Sequence, residues 1–250
     1  MNAALALHQL RAELLVFRRT REAAFFIFVF PVLLLLLLGS FYDGEIEGEP
    51  AANYLLVGIL GYGAANTAFG GLAIQLVIRR EYGILKRVRS TPLPGWLYLA
   101  CLLGSNLVVF AVQSLCVVVL AVVAYDADWP GRPFSLAGAL LIGAACFTGL
   151  GVGAAALIRS AEAVAPAVNV IVLPMAFLSG SFGPTEGYPD VLETLAEVLP
   201  LRHLIDVVGG IVLDGEHVWA RPADLAIVAA WGVVGYAVAA RRFGWEPRER

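Results

Sequence analysis

Residues 79–96 read "RREYGILKRVRSTPLPGW", a short charged island between long apolar stretches. Arg79, Arg80, Lys86, Arg87 and Arg89 gather in it, and Lys86 is the only lysine of the chain. Pro92 and Pro94 close the segment. The flanks decide what the island is for, because they are far more apolar than a water-soluble surface allows.

The 250 residues are 60% hydrophobic and 15% charged, with a mean hydropathy of +0.80. An ordinary soluble domain is about 45–50% apolar and about 25% charged. The composition is that of an integral membrane protein. A formal net charge of −3 carries no basic footprint for nucleic acid, so no nucleic-acid partner is expected. Cys101, Cys116 and Cys146 all lie inside apolar segments without CxxC spacing, which reads as packing and not as a disulfide or metal set. The N-terminus shows no signal-peptide pattern.

A spanning helix needs about 20 largely apolar residues. Six segments qualify: 23–41, 53–78, 97–125, 135–158, 163–182 and 223–240. None contains Lys, Arg or His, and Asp224 at the edge of the sixth is their only acid. Hydrocarbon offers no water to backbone N–H and C=O groups, so the spans must be helices. Residues 1–250 therefore read as one all-α transmembrane domain with six helices.

Orientation follows from where Lys and Arg fall among the connections. Fourteen of the 17 lie on one side: Arg11, Arg18, Arg19 and Arg21, the five of the 79–96 loop, Arg159, and Arg241, Arg242, Arg248 and Arg250. Arg132, Arg202 and Arg221 lie on the other, with the acids Asp43, Glu45, Glu47 and Glu49. Both termini and the basic loop are expected in the cytoplasm.

Two regions are apolar without spanning. In residues 1–22, Leu7, Leu10, Leu14 and Phe17 fall at helical spacing among arginines. This suits either a helix lying in the cytoplasmic interface near anionic lipid headgroups or an extension of the first span. Between the fifth and sixth spans, "YPDVLETLAEVLP" and "LRHLIDVVGGIVLDG" read as two short helices joined at Pro200. Both are too short to cross, so they should dip into the outer leaflet as a lid.

Chemistry is sparse. His8, His203 and His217 lie outside the spans, no HExxH occurs, and no intramembrane base can activate Ser179 or Ser181. The spans carry no ionisable groups of the kind that couple transport to protons or sodium. The sole lysine follows Leu85, so no P-loop Gly-Lys-Ser/Thr exists. Work done by this chain must draw its energy from another polypeptide, and the chain itself binds no cofactor.

The basic loop suits such a partner. Tyr82, Ile84, Leu85 and Val88 sit about a turn apart, making a short amphipathic helix that Pro92 and Pro94 stop. A rigid stub of this kind can press into a groove on a cytoplasmic protein and pass the push to the second and third spans.

"REYGILKRVRSTPLP" resembles the segment RExGTLKRLRxTPLP of permease subunits of ABC type-2 exporters, such as the daunorubicin/doxorubicin-resistance and nodulation lipo-oligosaccharide exporters. "PMAFLSGSFGPTEGYPDVLETLAEVLPLRHLIDVVGGI" is similar to the family's fifth span and the helices after it. Ile84 stands where the family usually has Thr, and Gly183 where a second aromatic is common. The resemblance implies a homo- or heterodimer of permeases in a prokaryotic inner membrane, each docking a separate ATPase subunit that binds ATP and Mg. It makes Glu81, Tyr82, Leu85, Lys86, Arg87 and Arg89 the coupling segment. It also runs a drug, lipid or glycolipid outward along the dimer seam, past Asn66, Thr67, Asn169, Pro174 and Ser179 of the second and fifth spans. A membrane scaffold that recruits a cytoplasmic protein through the same loop is the alternative, and a gradient-driven transporter ranks third.

Overall fold

The computed structural model describes residues 3–42, 44–46 and 48–246. Asp43, Glu47, Arg248 and Arg250, counted above for orientation, lie outside the described residues. The chain is a helical membrane bundle. Five helices are long and apolar enough to cross a bilayer: α3 (Ala51–Glu81), α5 (Gly95–Tyr125), α6 (Pro133–Leu157), α7 (Ala161–Leu178) and α10 (Pro222–Arg242). Each contains the apolar core of a predicted span.

The expected span at 23–41 is shorter than the others. Its apolar helix α2 (Phe25–Phe41) begins with a wide π-helical stretch, Phe25–Val29, directly after one α-helical turn at Arg21–Ala24. Pro31 follows at once; its missing N–H leaves the Ile27 carbonyl without a helical donor, which favours the wider turn. The N-terminal helix α1 (Ala3–Arg19) is a separate element, not an extension of α2. Thr20 leaves helical geometry at φ −89°, ψ 87°. Helix α1 instead lies along α5, where Leu10 approaches Gly104 and the Cys101 thiol contacts the Ala6 carbonyl at 3.5 Å.

Helix α3 is the central element: 89% of its most apolar window is buried within the chain, against 28% for α7. Its middle, Ala64–Gly71, is π-helical, and this stretch carries Asn66 and Thr67. Helices α6 and α10 cross backbone to backbone. A Cβ on Gly153 would come within 2.8 Å of the Gly235 carbonyl oxygen, and one on Gly235 within 2.5 Å of the Gly149 backbone. Gly149 and Gly153, small residues four apart on α6, permit that approach.

Past α7 come the two expected short helices, α8 (Asp190–Val198) and α9 (Pro200–Val212). They pack differently from each other. Helix α9 is wedged between α3, α6 and α10, with Leu201, Leu204, Val207, Val208 and Ile211 buried. Leu204 sits on Gly143 and Ile205 on Gly61, so each glycine opens a slot for one α9 side chain. Only α8 stays at the surface, exposing Val191, Leu195 and Val198.

Candidate functional site: the basic segment and its ties

Helix α3 runs past the expected end of its span and takes Arg79, Arg80 and Glu81 into its last turn. The break comes two residues later. Gly83 adopts φ +70°, ψ 12°, a left-handed conformation glycine enters without a Cβ clash. A six-residue helix, α4 (Ile84–Arg89), starts there. It ends before Pro92, with the Ser90 hydroxyl donating to the Arg87 carbonyl at 2.8 Å and Thr91 to that of Val88 at 2.7 Å.

Helix α4 has two faces. Leu85 is fully buried in the chain's own core, and Val88 packs partly against it. Tyr82 is 69% exposed, and Ile84, Lys86, Arg87 and Arg89 are also exposed. Leu85 therefore anchors the stub, while the other residues form a free basic face with an aromatic edge.

The arginines that the sequence grouped with this loop do something else. Arg79 donates to Glu13 of α1 at 2.7 Å and to the Tyr98 hydroxyl of α5 at 2.6 Å, all three buried. Gln9 donates to the second oxygen of Glu13 at 2.8 Å. Arg80, 1% exposed, donates to the Ala155 carbonyl at 2.7 Å and to that of Ile158, at the end of α6. The Glu81 carboxylate accepts the Ala161 N–H, at the start of α7. Three consecutive side chains thus tie α3 to α1 and α5, to α6, and to α7. The sequence reading missed Glu13, whose signal was an acid on the inward face of an arginine-rich helix.

The residues expected along a path sit in different surroundings within one chain. Thr67 donates to Gln113 of α5 at 2.6 Å, a buried bond between spans. Asn66 is half-buried. Asn169 and Pro174 lie on the exposed face of α7 beside Val170, Leu173 and Phe177. Ser179 and Ser181, fully buried after α7, have hydroxyls without a hydrogen-bond partner among the described residues.

At the opposite end of the bundle, His203, Asp206 and Asp224 bring one ligand-type atom each within 4.8 Å of one another. Both ring nitrogens of His203 already face acceptors, the Asp224 carboxylate at 2.7 Å and the Glu197 carbonyl at 2.8 Å. Arg202 lies 3.3 Å from Asp206. Burial raises the Asp206 carboxyl above its ordinary range; Arg202 opposes that rise and Asp224 adds to it. The group is a charged joint between α8, α9 and α10.

Residues 7–213 match the family described as ABC-2 type transporter. The chain is similar to the putative transport permease YvfS of Bacillus subtilis, 26% identical over 59% of this chain and 60% of that protein. It is similar also to the probable multidrug ABC transporter permease YbhR of Escherichia coli, 25% identical over 68% of this chain and 47% of that one. Nodulation protein J of Sinorhizobium fredii is 26% identical over 68% and 65%. The matches thus span about half to two thirds of these relatives' own lengths. With the family covering most of its residues, the chain belongs to the ABC-2 type transporters and is a multi-pass membrane protein.

Proposed function

We propose that this chain is the transmembrane subunit of an ATP-binding-cassette exporter. It moves a hydrophobic or amphipathic compound such as a drug, lipid or glycolipid out of a prokaryotic cell. A separate ATPase subunit, holding ATP and Mg, supplies the energy. In this reading α2 is the first of six spans, both termini are cytoplasmic, α1 lies in the inner interface among lipid headgroups, and α4 is the coupling helix. Helices α8 and α9 occupy the outer leaflet.

The observation that carries the proposal is the construction of α4. A cytoplasmic anchor for topology needs charge only. Here Leu85 fixes a short helix on the bundle while Tyr82, Ile84, Lys86, Arg87 and Arg89 project from it. Such a surface suits a protein groove better than water.

The exposed face of α7 supports a second permease copy. Asn169 sits there in mid-span among apolar side chains. An amide facing hydrocarbon lacks hydrogen-bond partners, and burial against another chain supplies them. Two such faces meeting make a seam for substrate, and opening and closing that seam is a rigid-body change at an interface.

The discriminating experiment is ATP turnover by the permease reconstituted with its co-purifying ATPase, with and without an amphipathic ligand. An exporter predicts turnover that changes with the ligand. Turnover indifferent to every apolar compound offered supports a scaffold that merely recruits the ATPase.

A further inference from the structure

A push on α4 has to reach the helices that line the seam. The route is visible in the last turn of α3. Arg80 places its guanidinium on the Ala155 and Ile158 carbonyls, the C-terminal end of α6. Glu81, the next residue, places its carboxylate on the Ala161 N–H, the N-terminal end of α7. Each charge matches the helix end it meets, because carbonyls left unpaired at a C-terminus are partially negative and amides at an N-terminus partially positive. Residues 158–160, the connection between α6 and α7, are thus flanked on both sides by contacts to a single dipeptide.

We infer that Arg80 and Glu81 are positioning residues that carry motion of α4 to the α6–α7 connection, and through it to α7. The inference rests on α4 being the coupling helix. Only Tyr82 and Gly83 separate Glu81 from α4, so a shift of α4 strains the last turn of α3 directly. Helix α7 suits the receiving role. It is lightly packed along its length, and Pro166 and Pro174 each remove an internal hydrogen bond. Its inner end is fixed by Glu81 and by the Ser160 hydroxyl, which accepts the Ala163 N–H at 3.2 Å. A helix pinned at one end and loose along its side tilts when the pinned end moves. This differs from the sequence expectation, which sent the push to the second and third spans.

The test uses two variants that cut the same bond from opposite sides. Glu81→Ala removes the acceptor. Ala161→Pro removes the donor at the first helical position, where proline is tolerated, and Ser160 at φ −121°, ψ 150° already has the extended backbone that a following proline requires. Glu81→Gln keeps an acceptor and serves as the rescue. In the complex with the ATPase, both cutting variants should still co-purify with the ATPase, because the exposed α4 residues are untouched. Ligand stimulation of ATP turnover should fall about tenfold or more, the scale of one charge-assisted hydrogen bond, and Glu81→Gln should recover most of it.

Spin labels on the chain alone, at Lys86→Cys and Glu162→Cys, should give one narrow distance in the parent and a broadened one in Glu81→Ala and Ala161→Pro. Full ligand stimulation with a narrow distance in both cutting variants overturns the inference. Loss of ATPase binding in Glu81→Ala overturns it too, making Glu81 a contact. If the parent chain binds no ATPase at all, the coupling reading fails while the label distances still decide whether the tie holds α7.

Discussion

Arg79 and Glu13, 66 positions apart in sequence, meet at 2.7 Å with 10% and 4% of their side chains exposed. The pair makes α1 part of the bundle's inner end and not a loose amphipathic tail. Removing one partner of a buried ion pair leaves the other charge stranded, at a cost of roughly 3–5 kcal/mol. Glu13→Ala should therefore lower the melting temperature in detergent sharply and open the N-terminus to proteolysis. A change no larger than that of an exposed arginine, such as Arg18→Ala, would contradict the tie.

The α6–α10 crossing leaves no room for a side chain at Gly235, where a Cβ would sit 2.5 Å from the Gly149 backbone. Backbone cannot swing aside as a flexible side chain does. Gly235→Leu should cost more than the 1–3 kcal/mol typical of overpacked cores and abolish recovery of monodisperse protein. Gly138→Leu is the control, since among the described residues nothing lies within 4 Å of a Cβ there. Equal behaviour of the two variants would refute the close crossing.

Thr67 and Gln113 form a buried bond between α3 and α5. Such bonds in membranes couple by about 0.6 kcal/mol on average. A double-mutant cycle of Thr67→Val and Gln113→Leu should show a coupling of that order, with the double variant near neutral because no polar group is left unpaired. A double variant worse than the sum of the singles would instead point to a role beyond packing.

Asp206 makes a pH prediction. Burial raises its carboxyl pKa, Arg202 pulls it down, Asp224 raises it further, and His203 and Arg221 lower it slightly. The net rise means that the folded chain holds the proton more tightly than the unfolded one. Stability from this group is then present at low pH and lost as pH climbs from the ordinary carboxylate range through the raised value. Asp206→Asn should flatten the melting temperature across that acidic window and raise it at neutral pH. A variant less stable at neutral pH would show that the Arg202 pair outweighs burial.

Much of the bundle was legible because membrane spans announce themselves by length and the absence of charge. All five long helices and the break at Pro200 follow from such local signals. The charged residues were harder. Arg79, Arg80 and Glu81 look like loop residues in a linear reading, yet the helix continues through them, and their partners Glu13, Ala155, Ile158 and Ala161 are brought near only by tertiary packing. Leu85 reads from helical spacing as part of the coupling face, and only tertiary packing shows it buried in the chain's own core. How α9 packs was hidden for a similar reason: Gly61 and Gly143, far away in sequence, open the slots that draw it into the bundle.

The central claim is that the exposed face of α4 docks a separate ATPase, and one measurement tests it most directly. The tagged chain is purified from its native membrane in mild detergent beside an Arg87→Glu/Arg89→Glu variant, and the proteins that accompany each are identified. The account predicts that a P-loop ATPase accompanies the parent and is lost from the variant while the fold survives. An ATPase retained equally by both, or absent from the parent, would contradict it.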